Sequence, residues 1–189
     1  MDLNLLAKAA HDAAVKKGFW ENPLSVEHSL CLVVTEIGEA VEADRHNKHQ
    51  DVAGYKKAKE KKSLLKFLKK DKEDKEKSAF EELMKDSVED ELADVVIRLL
   101  DLAGDLQIDF NVMSNINYHR AFARWDFAEN AFALIKGLAR EGVNINRRIL
   151  FGIMYVQHWA KFIGFNLEYA ITEKMAYNET REIRNGKSY

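Results

Sequence analysis

An all-α fold is what this chain predicts, and three observations carry the expectation. Apolar residues recur three and four apart along most of the sequence, no stretch alternates with the period of a strand, and 189 residues contain a single proline. Hydrophobic residues at 47% can build a core, and the charged 32% are interspersed rather than segregated. The length suits one domain, so residues 1–189 are read as one helical bundle, with a first half at 1–110, an additional helical pair at 111–165 and a C-terminal segment at 166–189.

The elements follow in order. Residues 3–17 have helical spacing and stop at Gly18, after which come Phe19 and Trp20. Asn22 as N-cap and Pro23 in the first turn open a helix to about residue 46. Its stripe is Val26, Leu30, Val33, Val34, Ile37, Ala40 and Val41, and the lone Cys31 reads as a small buried hydrophobe. Residues 56–77 hold eleven lysines against five acids, the pattern of a solvated linker or exposed helix, although Leu64, Leu65, Phe67 and Leu68 predict that part of it docks. A helix over 80–107 follows, with a turn at 108–110. Further helices are expected at 125–140, ending at Gly142, at 144–163, broken by Gly164, and from the Asn166 cap to about 178.

Composition excludes several classes. A net charge of −2 disfavours a stable nucleic-acid partner, leaving phosphate or RNA attraction by the lysine run a minority reading. One cysteine makes neither a disulfide framework nor a zinc site. The first twenty residues interrupt their apolar positions with Asp2, Lys8, His11, Asp12, Lys16 and Lys17, so neither a signal peptide nor a membrane span is expected, and the location expected is cytoplasmic. None of the six histidines follows an acid by three residues, which removes the ligand signature of di-iron bundles. His158 reads as a core residue, and His11 and His28 as weak candidates for base or phosphate contacts.

The chemistry lies in two acidic pairs. Glu36 and Glu39 are three apart on the shoulder of one apolar stripe, and Glu91 and Asp94 are three apart beside Leu92, Val95, Val96 and Leu99 on another. Residues i and i+3 share a helix face, so two packed helices would gather four carboxylates around one volume. Such a cluster is repulsive without a cation, and oxygen-rich sites suit Mg²⁺, with Mn²⁺ able to substitute. One isolated pair is more often a solvated face; two pairs on core-edge shoulders point to ligands. Glu36 and Glu39 are also the candidates for orienting or deprotonating a water. Lys174, Asn178 and Arg181 form one row at spacings of four and three that could face phosphates, although a solvated helix end reads equally well. Lys187 lies in a tail able to close over substrate, and Trp20 and Phe19 could stack a base, although aromatics after a helix stop are more often core.

A self-comparison at an offset of 57 sets Leu92 to Phe110 against Ile149 to Leu167, so that Ala103 meets Ala160 and Leu106 meets Ile163. There Glu91 meets Arg148 and Asp94 meets Phe151, and residues 128–138 repeat the apolar spacing of the first acidic helix without its carboxylate pair. The pattern predicts a degenerate internal duplication packed as a pseudo-dimer, against the alternative that any two amphipathic helices align this well.

Residues 30–45 (LCLVVTEIGEAVEADR), residues 91–102 (ELADVVIRLLDL), residues 174–181 (KMAYNETR) with Gly186 and Lys187, and residues 17–20 (KGFW) resemble the MazG-like nucleotide pyrophosphohydrolases. The resemblance implies an all-α NTP pyrophosphatase fold and Mg²⁺-dependent hydrolysis of nucleoside triphosphates, deoxynucleotides foremost, to monophosphate and pyrophosphate. It implies Glu36, Glu39, Glu91 and Asp94 as metal ligands and the C-terminal residues as substrate contacts. The chain departs from the family at Thr35, where a Glu is common, in the long separation of its acidic motifs, and at residues 182–185, where relatives often carry Pro and His. The implied partner is a nucleoside triphosphate, bound by a homodimer or a pseudo-dimeric monomer. The alternative of a different class is a non-catalytic helical interaction protein whose acidic face binds a cation.

Overall fold

Residues 88–105 are apolar on more of their circumference than any surface helix requires, and the fold is organised around them. In the computed structural model, which describes residues 1–22, 24–65, 73–112, 122 and 125–183, this segment is the central helix. Eight α-helices and no strand occur among the described residues: α1 (Leu3–Lys16), α2 (Val26–Arg45), α3 (Val52–Leu65), α4 (Glu73–Leu83), α5 (Val88–Asp105), α6 (Phe127–Leu138), α7 (Ile145–Ile163) and α8 (Leu167–Glu179). Helix α5 packs against α1, α2, α7 and α8, while α6 pairs with α7 and also touches α2. The chain is an all-α helical bundle. Among the described residues no helix is long and apolar enough to cross a membrane.

Burial follows the predicted stripes. Leu30, Val33, Ile37 and Ala40 of α2 meet Leu92, Val95, Val96 and Leu99 of α5 in one core that α6 and α7 extend through Leu134, Ile149, Ile153 and Trp159. Close approach of α1 to α5 depends on Gly104, because a Cβ there would stand 2.5 Å from the Cβ of His11 and 2.9 Å from the Ala7 carbonyl oxygen. A smaller cluster of Tyr55, Phe80, Met84 and Tyr177 ties α3 and α4 to α8. Helices α3 and α4, which carry the two ends of the lysine-rich run, are thus docked; of the apolar residues expected to dock, Phe67, Leu68 and the side chains of Leu64 and Leu65 lie outside what is described.

Three expectations are corrected. Helix α2 starts at Val26, not at Pro23, because Ser25 Oγ accepts the His28 amide and supplies the cap assigned to Asn22. The predicted helix over 80–107 is two helices. Its apolar spacing runs on through Leu83 and Met84, but Asp86 takes a left-handed φ of 56° and Ser87 caps a new helix by accepting the Asp90 amide. Cys31 is exposed, not buried, since it lies on the outer face of α2 with Thr35 and Gly38. The turn at 108–110 leads into a 3-10 turn at Phe110–Val112. Gly164, with φ of 100°, ends α7 as expected, and Asn144 and Asn166 cap α7 and α8.

Candidate functional site: an acidic cleft on the central helix

The contact of α2 with α5 brings the acidic pairs together, and α8 closes over them. Three of the four predicted carboxylates, Glu36, Glu91 and Asp94, each offer an oxygen within 4.8 Å of the others. Glu36 and Glu91 are each only 4% exposed. Glu39 is not part of this trio: it is exposed, one turn along α2, although it lines the same cleft. The cleft has a volume of about 340 Å³. Lys174, Asn178, Arg181 and Trp20 also line it, so the predicted metal and substrate residues within the described part of the chain open onto one space, whereas His11 and His28 do not line it. Lys187 lies outside the described residues.

The charges are arranged with little slack. Arg98 Nε donates to Glu36 Oε1 at 2.6 Å. Lys174, expected to face phosphate, is instead buried between two carboxylates, with its Nζ 2.6 Å from Asp90 Oδ2 and 2.8 Å from Asp94 Oδ2. Burial opposes its charge, but Asp94 and Asp90 outweigh that and hold the ammonium above the usual lysine range. Asp90 is fully buried, and desolvation pushes it up to about 6 despite Lys174. Its Oδ1 and the Oδ1 of Asn178 are buried without a hydrogen-bond partner among the described residues.

Glu91 is the most perturbed carboxyl. Burial first, then the neighbouring Asp94, push it up to about 9, with Lys174 opposing. Glu36 is raised for the same two reasons and pulled back by Arg98. Two buried carboxyls that resist ionising, Glu36 and Glu91, set beside Asp94, fit a divalent cation, which would replace their protons. The spacing fits as well: oxygens on opposite sides of a Mg²⁺ stand about 4 Å apart, so a trio within 4.8 Å needs only small shifts to close on one. A second trio, Asp86, Asp90 and Glu91, meets the same distance and shares Glu91.

Sequence reasoning left Arg98, Asp90, Asp86 and Lys85 without a role. Arg98 and Asp101 stand in the row that runs along α5 from Asp94, a signal that was present in the spacing. Asp90 precedes Asp94 by one turn, and only the contact with α8, 84 residues away, reveals it as the partner of Lys174.

What fold and cleft define is a class: an all-α bundle with an acidic cleft whose carboxylates could hold a cation, closed on one side by α8. Set against protein-family models, curated proteins and solved structures, the chain has no match.

Proposed function

We propose that the chain is a Mg²⁺-dependent nucleoside triphosphate pyrophosphohydrolase of the MazG-like, all-α NTP pyrophosphatase type. The observation that carries this reading is one cleft lined by Glu36, Glu39, Glu91 and Asp94 together with Asn178 and Arg181. Carboxylates able to hold a cation and a guanidinium able to hold an anion, lining a single space, suit a metal-bound polyphosphate. Glu36, Glu91 and Asp94 would hold Mg²⁺, with Glu39 completing the set from the cleft mouth. When bound, the ion supplies charge neutralisation at the phosphates and acidifies a coordinated water.

The residues divide the remaining work. Glu39, exposed in the cleft, is placed to orient the attacking water and accept its proton, while Glu36 is pinned by Arg98. Water oxygen bonds to phosphorus, the P–O bond between the α and β phosphates breaks, and pyrophosphate leaves with the electron pair. Arg181 presents a fork of donors as charge spreads over the phosphate oxygens. Lys174, held between Asp90 and Asp94, would fix the orientation of the Asp94 carboxylate toward the ion. The buried Oδ1 of Asn178 gives the cleft an acceptor still to be satisfied.

The test is pyrophosphate release from the four deoxynucleoside triphosphates with Mg²⁺ or Mn²⁺ and with chelator. Cation-dependent release supports the reading. Cation binding with no turnover of any nucleotide would favour the alternative, a non-catalytic helical interaction protein.

A further inference from the structure

The cleft runs past its carboxylate cluster. Asp101 follows Asp94 by seven residues, about 10 Å farther along the axis of α5, and it too lines the cavity. The walls change there: Ala10, Ala13 and Ala14 of α1, with Phe19, Leu24 and Leu102, make a shallow apolar slot. Asp101 is the acidic group of this end, and its side chain is 23% exposed.

Its two oxygens are used differently. Oδ1 stands 2.9 Å from His11 Nδ1 and accepts the Trp20 indole N–H at 2.9 Å, which fills both lone pairs of that oxygen. The His11 and Trp20 rings meet edge to face at 4.9 Å, and Gly104 on the next turn of α5 admits α1 closely enough to bring His11 there. The carboxylate is therefore held in one orientation from two directions. Oδ2 accepts no hydrogen bond among the described residues and is not sealed from solvent. Burial raises the carboxyl above its ordinary value, while the bonds from His11 and Trp20 pull it back toward the ionised form.

We infer that Asp101 Oδ2 is a specificity-determining acceptor that selects a base bearing an exocyclic amino group, cytosine or adenine, over its keto counterpart. The inference rests on the pyrophosphohydrolase reading for the polar end of the cleft. A planar ring lying between the alanine wall and Trp20 brings its edge to Oδ2. An ionised carboxylate can only accept, so an amino group satisfies it, whereas a keto oxygen sets lone pair against lone pair in a half-dry slot. Uracil's one edge donor is flanked by two keto oxygens and carries that repulsion with it. Guanine would need both carboxylate oxygens for its paired donors, and Oδ1 is already filled.

The decisive comparison uses pairs that exchange the amino group for a keto oxygen, with a proton gained on the adjacent ring nitrogen: dCTP against dUTP and dATP against the hypoxanthine nucleotide dITP. The wild-type chain is expected to favour the amino member of each pair by about 10- to 100-fold in kcat/KM, the worth of one hydrogen bond to a charged group, expressed mainly in KM. Asp101→Asn, whose amide both donates and accepts, is expected to bring each ratio close to one. Equal efficiency within both pairs in the wild type, or ratios unchanged in Asp101→Asn, would overturn the inference while leaving the pyrophosphohydrolase reading intact. The wild-type comparison stands even if that variant does not fold. Should no triphosphate be hydrolysed, that reading falls by itself and calorimetric titration with dCMP and dUMP decides the subsite: tighter dCMP supports it, and equal or tighter dUMP overturns it.

Discussion

Helices α2 and α5 form one antiparallel-type pair and α6 and α7 another, yet only the first carries the carboxylates. In the register offset by 57, Leu92, Val96, Leu99 and Ala103 stand against Ile149, Ile153, Val156 and Ala160, and all eight are at most 1% exposed. The same register sets Arg98 against Tyr155. Arg98 reaches from α5 to Glu36 on α2; the Tyr155 hydroxyl reaches from α7 to the Asn130 carbonyl oxygen on α6 at 2.8 Å. An ionic cross-link in one pair has a neutral counterpart in the other. Matching buried positions are what a degenerate duplication, or any two amphipathic helices in register, would give; the difference teaches that packing fixes the apolar positions while the shoulder positions are free to carry chemistry or not.

Removing the chemistry from the first pair should have the largest effect. Asp94→Asn or Glu39→Gln is expected to lower Mg²⁺-dependent pyrophosphate release by about a thousandfold or more, with the helical circular-dichroism spectrum kept. A near-normal rate in either variant would take that carboxylate out of the mechanism. Removing the second pair should instead destroy the fold. Deleting residues 121–165 exposes the apolar faces of α2 and α5, so light scattering on a sizing column should find aggregates or forced dimers. A soluble, active monomer would make α6 and α7 a dispensable insertion.

Smaller effects sharpen the contrast. Arg181→Ala should cost about 2 to 4 kcal/mol in kcat/KM, as the loss of one preorganised donor does. Unchanged kinetics would make the α8 row incidental. In metal-free buffer the folded chain holds the Glu91 proton up to about 9, while the unfolded chain releases it near the ordinary value of 4.5. Between those values the folded state binds more protons, so stability should fall as pH rises. Glu91→Gln should flatten that slope in urea titrations, and Mg²⁺ should offset it in the wild type. A wild-type stability that rises through this window would contradict the burial account. Tyr155→Phe, in the neutral pair, should cost only about 1 kcal/mol, or about 2 to 4 °C in Tm. A loss as severe as that of Asp94→Asn in turnover would show that the second pair is not merely structural.

Legibility in the sequence followed the range of the interaction. Stripes on α2, α5 and α7 are local periodicities, and they located the core and the faces bearing Glu36, Glu91 and Asp94. The α4 to α5 break was harder, because apolar spacing continues through Leu83 and Met84 while the Ser87 cap occupies one residue. Helix α8 hid most. It buries Glu173 and Lys174 alongside Leu167 and Ile171, since Tyr55 and Lys59 satisfy Glu173, and Asp90 and Asp94 satisfy Lys174. Partners 80 or more residues away leave no periodic trace, which is why the sequence pattern points Lys174 at phosphate and not at a buried counter-ion role.

The carboxylates gathered between α2 and α5 are expected to direct cleavage of a triphosphate at one bond. Phosphorus NMR of dCTP incubated with the full chain and Mg²⁺ tests this most directly. The account predicts resonances of deoxycytidine monophosphate and pyrophosphate growing together, and none after Asp94→Asn. Diphosphate and orthophosphate as first products, or cleavage undiminished in Asp94→Asn, would contradict it.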